Sequence, residues 1–305
     1  MRRIVTQVAD VDVGVRVFYP SFEHAAVTGF GAWMLPLVKN TRLRAGTYPL
    51  VMVSHGLGGN SWNHHLLAQS LVQAGFIVAA VDHPDDLLRL GSPEHTVLRP
   101  LELKAGLDAV LLDNGFKAQI DPDRIGVFGY SLGGFTALAA AGGRASFSQI
   151  VKHCATSRND LAFCIGNKAA NALPIYRPPR VHLDQDLYDP RFKALVLAAP
   201  VGAPFEDLDR VKLPVFLVRA GADKTLRAPY HVEKIHRLLP QPHRYEVIDE
   251  LRNYAFLSPF PEDIINEVGP PAQDPIGFDR AAFLAFENTE FIEFFQQTLG
   301  VGSRR

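Results

Sequence analysis

Ser131 lies in the segment RIGVFGYSLGGFTAL, residues 124–138, with glycines two positions before and two positions after it. An apolar run leads into the serine and a small-residue, helix-like run leads out. A strand, a tight turn and a helix in that order force a strained backbone at the serine and leave its hydroxyl exposed at a sheet edge. The flanking glycines keep side chains out of the crowded turn. Such a serine is a candidate nucleophile, and a helix N-terminus beside it favours developing negative charge.

A nucleophile of this kind needs donors for an oxyanion, a base, and a carboxylate to orient the base. The N–H of Leu132, the residue after the serine, is one expected donor. The loop SHGLGGN, residues 54–60, is rich in glycine, and Leu57 after His55 and Gly56 is expected to supply the second. Asp223, in LPVFLVRAGADKTL, follows an apolar run and is expected to be the acid. The chain order nucleophile, acid, histidine then calls for a histidine after the last strand. That segment reads ELRNYAFLSP, which contains Asn253 and no histidine. Among the other histidines, His243 precedes the last strand and is expected at the wrong sheet edge. His231 and His236 are expected on the polar face of a helix. His55 and His83 follow strands at the correct edge. His55 is expected to pack beneath its loop, and His55, Gly56, Tyr130, His83 and Tyr176 are expected to shape the substrate site. An amide has no usable pKa near neutrality, so Asn253 cannot take and return a proton.

The elements that must hold these groups follow a regular rhythm. YPLVMVSHG, GFIVAAVDHP, DRIGVFGYS, FKALVLAAP, LPVFLVRAG and RYEVIDE read as strands, most of them buried on both faces. Amphipathic or small-residue helical patterns separate them. VDVGVRVFYP alternates and reads as an antiparallel edge strand. The expectation is an α/β fold with a mostly parallel sheet and helices on both faces. Residues 143–192 interrupt the rhythm and are expected to form a cap or lid inserted into a core of 1–142 and 193–305.

The quoted strand and loop motifs from residue 48 onward resemble the α/β-hydrolase superfamily. More narrowly they are similar to its dienelactone-hydrolase-like and platelet-activating-factor-acetylhydrolase-like branch, where a histidine stands at the position of Asn253. The resemblance implies an eight-stranded sheet and a serine hydrolase of esters, lactones or amides, working through an acyl-enzyme without metal or cofactor. With the base absent, the chain reads as an inactivated variant. The alternatives are a natural non-hydrolytic enzyme on this scaffold (a lyase, cyclase or transferase) or a non-catalytic binding protein.

The chain has 305 residues, 47% hydrophobic, with 31 basic against 32 acidic side chains. This near-neutral balance gives no reason to expect nucleic acid or a membrane as partner. The start carries no signal-peptide pattern, so a cytoplasmic location is expected. Cys154 and Cys164 are therefore expected as two reduced thiols.

Overall fold

A computed structural model describes residues 1–23, 27–30, 32–84, 86–157, 159–170, 181–183 and 185–300. Tyr176, expected at the substrate site, lies outside the described residues.

The main sheet contains eight strands: β1 (Arg2–Val8), β2 (Val11–Phe18), β3 (Tyr48–Ser54), β4 (Ile77–Val81), β5 (Ile120–Tyr130), β6 (Phe192–Ala198), β7 (Val215–Ala220) and β8 (Arg244–Ile248). Their spatial order is β1-β2-β4-β3-β5-β6-β7-β8. β1 and β2 pair antiparallel with their neighbours, and all later pairs are parallel. The sheet is the mostly parallel one expected. Its edge is not. VDVGVRVF is the second strand, and Arg2–Val8 covers it with every residue of the β1–β2 ladder paired. The alternation of half-buried and exposed residues in β1 marks it as the true edge.

Helices α1 (His65–Gln73) and α7 (Arg280–Thr298) cover one face. Helices α2 (His95–Leu112), α3 (Leu132–Ala140) and α6 (Val232–Leu238) cover the other. Alternating strand residues supply the two cores. Leu50 and Met52 of β3 pack with Leu103, Leu107 and Phe135. Val51 and Val53 pack with Leu67, Leu71, Phe291 and Phe295. Burial on both faces is why these strands read as continuous apolar runs.

Between α3 and β6 lie α4 (Phe147–Thr156) and α5 (Leu161–Ala170). Cys154 of α4 and Cys164 of α5 form a disulfide, with Cα atoms 5.3 Å apart. The expectation of two reduced thiols is corrected. The turn between the helices brings the side chains face to face, which a spacing of ten residues does not reveal. A hairpin of Val27–Phe30 and Trp33–Pro36 occupies a stretch that carried no clear pattern.

Candidate active site

Because β3, β5, β6 and β7 are parallel, their C-terminal ends share one edge. Ser54 pairs with Gly129, and Tyr130 with Ala198. Ser131 leaves β5 at φ 53° and ψ −115°, a left-handed conformation rare for a side chain, and α3 begins at the next residue. A Cβ at Gly129 would fall on the backbone of Gly133, and one at Gly133 would fall on the Ser54 carbonyl. The elbow therefore requires both glycines. The Ser131 carbonyl accepts from Gly134 N–H at 3.0 Å and from Val201 N–H at 3.0 Å.

As the first helical residue, Leu132 has an N–H without an acceptor in its own helix. The peptide before Leu57 is held from its other side. The Gly56 carbonyl accepts from Gly59 N–H at 3.1 Å and pairs with His55 Nδ1 at 2.7 Å. No peptide bond among the described residues is cis, so the Leu57 N–H points opposite to that carbonyl.

Asp223 sits in the turn after β7. Its Oδ1 accepts from the N–H groups of Thr225 and Leu226 at 2.7 and 2.9 Å. Its Oδ2 accepts from Asn253 Nδ2 at 2.7 Å. Burial raises its pKa above the usual carboxylate value, against the opposing pull of the Asn253 and backbone hydrogen bonds. Asn253 opens a 3₁₀ turn, Asn253–Phe256, and is buried. The Tyr130 hydroxyl donates to Asn253 Oδ1 at 2.7 Å. Burial pushes the Tyr130 phenol well above its ordinary pKa, so it acts as a neutral donor. Tyr130 and Asp223 together fix which way the amide faces.

Ser131, Leu57, Leu132, Tyr130 and Asn253 all border one cavity of about 500 Å³. Its walls include Trp33, Leu90, Phe163, Val201, Leu257 and Phe260. Among the described residues, no histidine and no charged side chain lines it. His55 lies beneath its loop, where it was expected to pack, and His83, expected to shape the substrate site, lies there with it. His83 N–H donates to His55 Nε2 at 3.2 Å, His83 Nδ1 pairs with Glu102 at 2.7 Å, and His83 Nε2 with Ser54 Oγ at 2.9 Å. Their rings fill the space under the loop and so do not reach the cavity. His243, at the opposite end of β8, pairs with His236 at 2.8 Å.

His231 is buried rather than on a polar helix face. Its Nδ1 accepts from Gly202 N–H at 3.2 Å, which leaves the proton on Nε2 to donate to Asp160 Oδ2 at 2.9 Å. His153 Nε2 meets the same oxygen at 2.7 Å. Burial alone would raise Asp160, but the His231 and His153 hydrogen bonds outweigh it and leave the carboxyl below its usual value. The three ligand atoms lie within 4.8 Å of one another. A metal on His231 Nε2 would need the proton moved to Nδ1, where Gly202 N–H already points, so the trio suits an anchor between the α4–α5 segment and the core. His231 lies 71 residues along the chain from Asp160, so no local pattern could have paired them.

The strand order and the serine elbow are those of the α/β-hydrolase fold. The family model of platelet-activating factor acetylhydrolase, isoform II, matches residues 15–92. Platelet-activating factor acetylhydrolase of Bos taurus is 25% identical over 193 residues, 48% of this chain and 42% of that protein. The protein of the same name from Canis lupus familiaris is 28% identical over 159 residues, 36% of each chain. Bis(hydroxyethyl) terephthalate hydrolase of Streptomyces coelicolor is 30% identical over 131 residues, 43% of this chain and 40% of that protein. The chain thus spans less than half the length of these curated relatives. The fold is consistent with the α/β-hydrolase superfamily, and the similarities support a likeness to its platelet-activating-factor-acetylhydrolase-like branch and to serine ester hydrolases. Among the described residues no helix is long and apolar enough to cross a membrane.

Proposed function

We propose that this chain is a serine hydrolase of neutral, largely apolar carboxylic esters whose base position is occupied by Asn253. The observation that carries the reading is the strained Ser131 elbow opening, beside Asp223 and Asn253, onto a cavity that no charged side chain among the described residues lines. Ser131 Oγ would attack the ester carbonyl, and Leu57 and Leu132 N–H would receive the oxyanion. Asp223 and Asn253 stand where an acid and a histidine would work. The amide bonds Asp223 as an imidazole would, but it cannot accept the serine proton. The chain as written is therefore an impaired catalyst that still binds substrate. Residues 143–192 act as a cap, with Ala162 and Phe163 against the ligand. The Cys154–Cys164 bridge supports an oxidising compartment over the cytoplasmic one expected from the sequence.

A second reading draws on the amide itself. Asn253 has both ends engaged at 2.7 Å, by Tyr130 and Asp223, which also suits a site that binds a ligand and does no hydrolysis.

Asn253→His decides between them. Loss of the base costs on the order of 10⁶ in a well-studied serine protease. The variant is expected to hydrolyse p-nitrophenyl acetate at least about 10³-fold faster than the parent chain and to label at Ser131 with a fluorophosphonate. A folded Asn253→His protein inert to a broad ester panel would sink the hydrolase reading and leave the binding one.

A further inference from the structure

The two candidate oxyanion donors sit on separate elements. Leu57 belongs to the loop after β3, and Leu132 begins α3. Helix α2, which contributes nothing to the cavity wall, carries a side chain that touches both elements. Arg99 is fully buried. One end of its guanidinium, Nη2, donates to the carbonyl of His55, two residues before Leu57. Its Nε donates to Thr136 Oγ1 at 2.9 Å. The Thr136 hydroxyl then donates to the Leu132 carbonyl at 3.0 Å, one turn back along α3. His55 extends the first link, since its Nδ1 meets the Gly56 carbonyl and fixes the peptide plane that presents Leu57 N–H. Its Nε2 accepts from His83 N–H, so the proton must sit on Nδ1.

Burying a guanidinium is costly unless its geometry and hydrogen bonds compensate. Its planar fork holds two acceptors at a fixed separation, which a flexible ammonium does not. From this arrangement we infer that Arg99 is a positioning residue: it sets the spacing between the Leu57 and Leu132 N–H groups by tying the His55 carbonyl to the first turn of α3 through Thr136. The inference rests on the hydrolase reading above and adds the device that holds its oxyanion site together. Two donors on different elements stabilise an oxyanion only when both are at hydrogen-bond distance from it. A displacement of about 1 Å can cost on the order of 10²-fold in rate.

Thr136→Val, made in the Asn253→His background, tests the idea. It keeps the shape of the side chain and removes the hydroxyl that joins Arg99 to α3. Two readouts are compared: kcat and KM for p-nitrophenyl acetate, and the affinity of n-butylboronic acid, which forms a tetrahedral anion on a nucleophilic serine. Thr136→Val is expected to lower both kcat and boronic-acid affinity by about tenfold or more, with KM little changed. Thr136→Ser restores the hydroxyl and is expected to stay within about threefold of the background. Arg99→Lys keeps the charge without the fork and is expected to resemble Thr136→Val. If Thr136→Val lowers the melting temperature but leaves kcat and boronic-acid affinity within about twofold, Arg99 is merely structural and the inference is overturned. If the Asn253→His background neither hydrolyses the ester nor binds n-butylboronic acid, the hydrolase reading has failed and the inference falls with it.

Discussion

Replacing Asn253 with leucine separates what the amide holds from what it can catalyse. Leucine has the same branching, is somewhat bulkier, and carries no polar atom. It would leave the Tyr130 hydroxyl and Asp223 Oδ2 without the partners they have at 2.7 Å. Each buried group stripped of its hydrogen bond costs roughly 1–3 kcal/mol, so Asn253→Leu should lower the melting temperature by several degrees. Ester hydrolysis should stay at the parent level, because no base is removed. A tenfold further loss of rate would show that the amide takes part in the chemistry. The elbow at Ser131 and the turn that holds Asp223 were readable from local context, since a glycine elbow and a turn after a strand are short-range features. The placement of His83 was not, because whether a histidine faces the cavity or the underside of a loop depends on packing from α2.

Two elements carry the site and make separate predictions. The elbow tolerates no side chain at Gly133, where a Cβ would meet the Ser54 carbonyl of a central strand. Gly133→Ala must push α3 away from β3, and the expected result is loss of cooperative folding by circular dichroism. A stable, active Gly133→Ala protein would contradict the packing of α3 described above. The α4–α5 pair depends on a different tie. Cys154 and Cys164 close a loop ten residues long, and such a crosslink stabilises by about 2–3 kcal/mol in the chain-entropy treatment. Reduction, or the Cys154→Ser and Cys164→Ser double variant, should speed amide exchange in α4 and α5 while leaving β3, β5 and β6 protected. Equal loss of protection throughout the sheet would show that this segment is not a separate unit. The parallel strands were readable as apolar runs because both their faces are covered. The edge strand Arg2–Val8 escaped notice because half-buried alternation is a weaker signal than a continuous run.

For the molecule as a whole, one buried acid ties stability to pH. Glu287 lies on α7, fully buried, and neither carboxylate oxygen has a hydrogen-bond partner among the described residues. Desolvation pushes its pKa from 4.5 up to about 8, with Glu246 adding repulsion. The folded protein thus holds this proton more tightly than the unfolded chain. The associated stability is fully present below pH 4.5 and is lost as pH rises through about 8. A shift of this size corresponds to roughly a few kcal/mol. Glu287→Gln should therefore melt later than the parent at pH 9 and show a flatter dependence between pH 5 and 9. Superimposable melting curves across that range would mean that Glu287 does not control alkaline stability.

The sequence alone determined the parallel sheet, the serine elbow, and the loops after β7 and β8 that carry Asp223 and Asn253. All of these depend on hydrophobic period, glycine sterics and chain order, which act over a few residues. The tertiary structure decided the rest: the outer strand β1, the Cys154–Cys164 bridge, the Asp160 anchor, and the Arg99 link between the Leu57 and Leu132 segments. Each of these joins groups whose partners are chosen by how elements pack, and no local pattern of residue types specifies that choice.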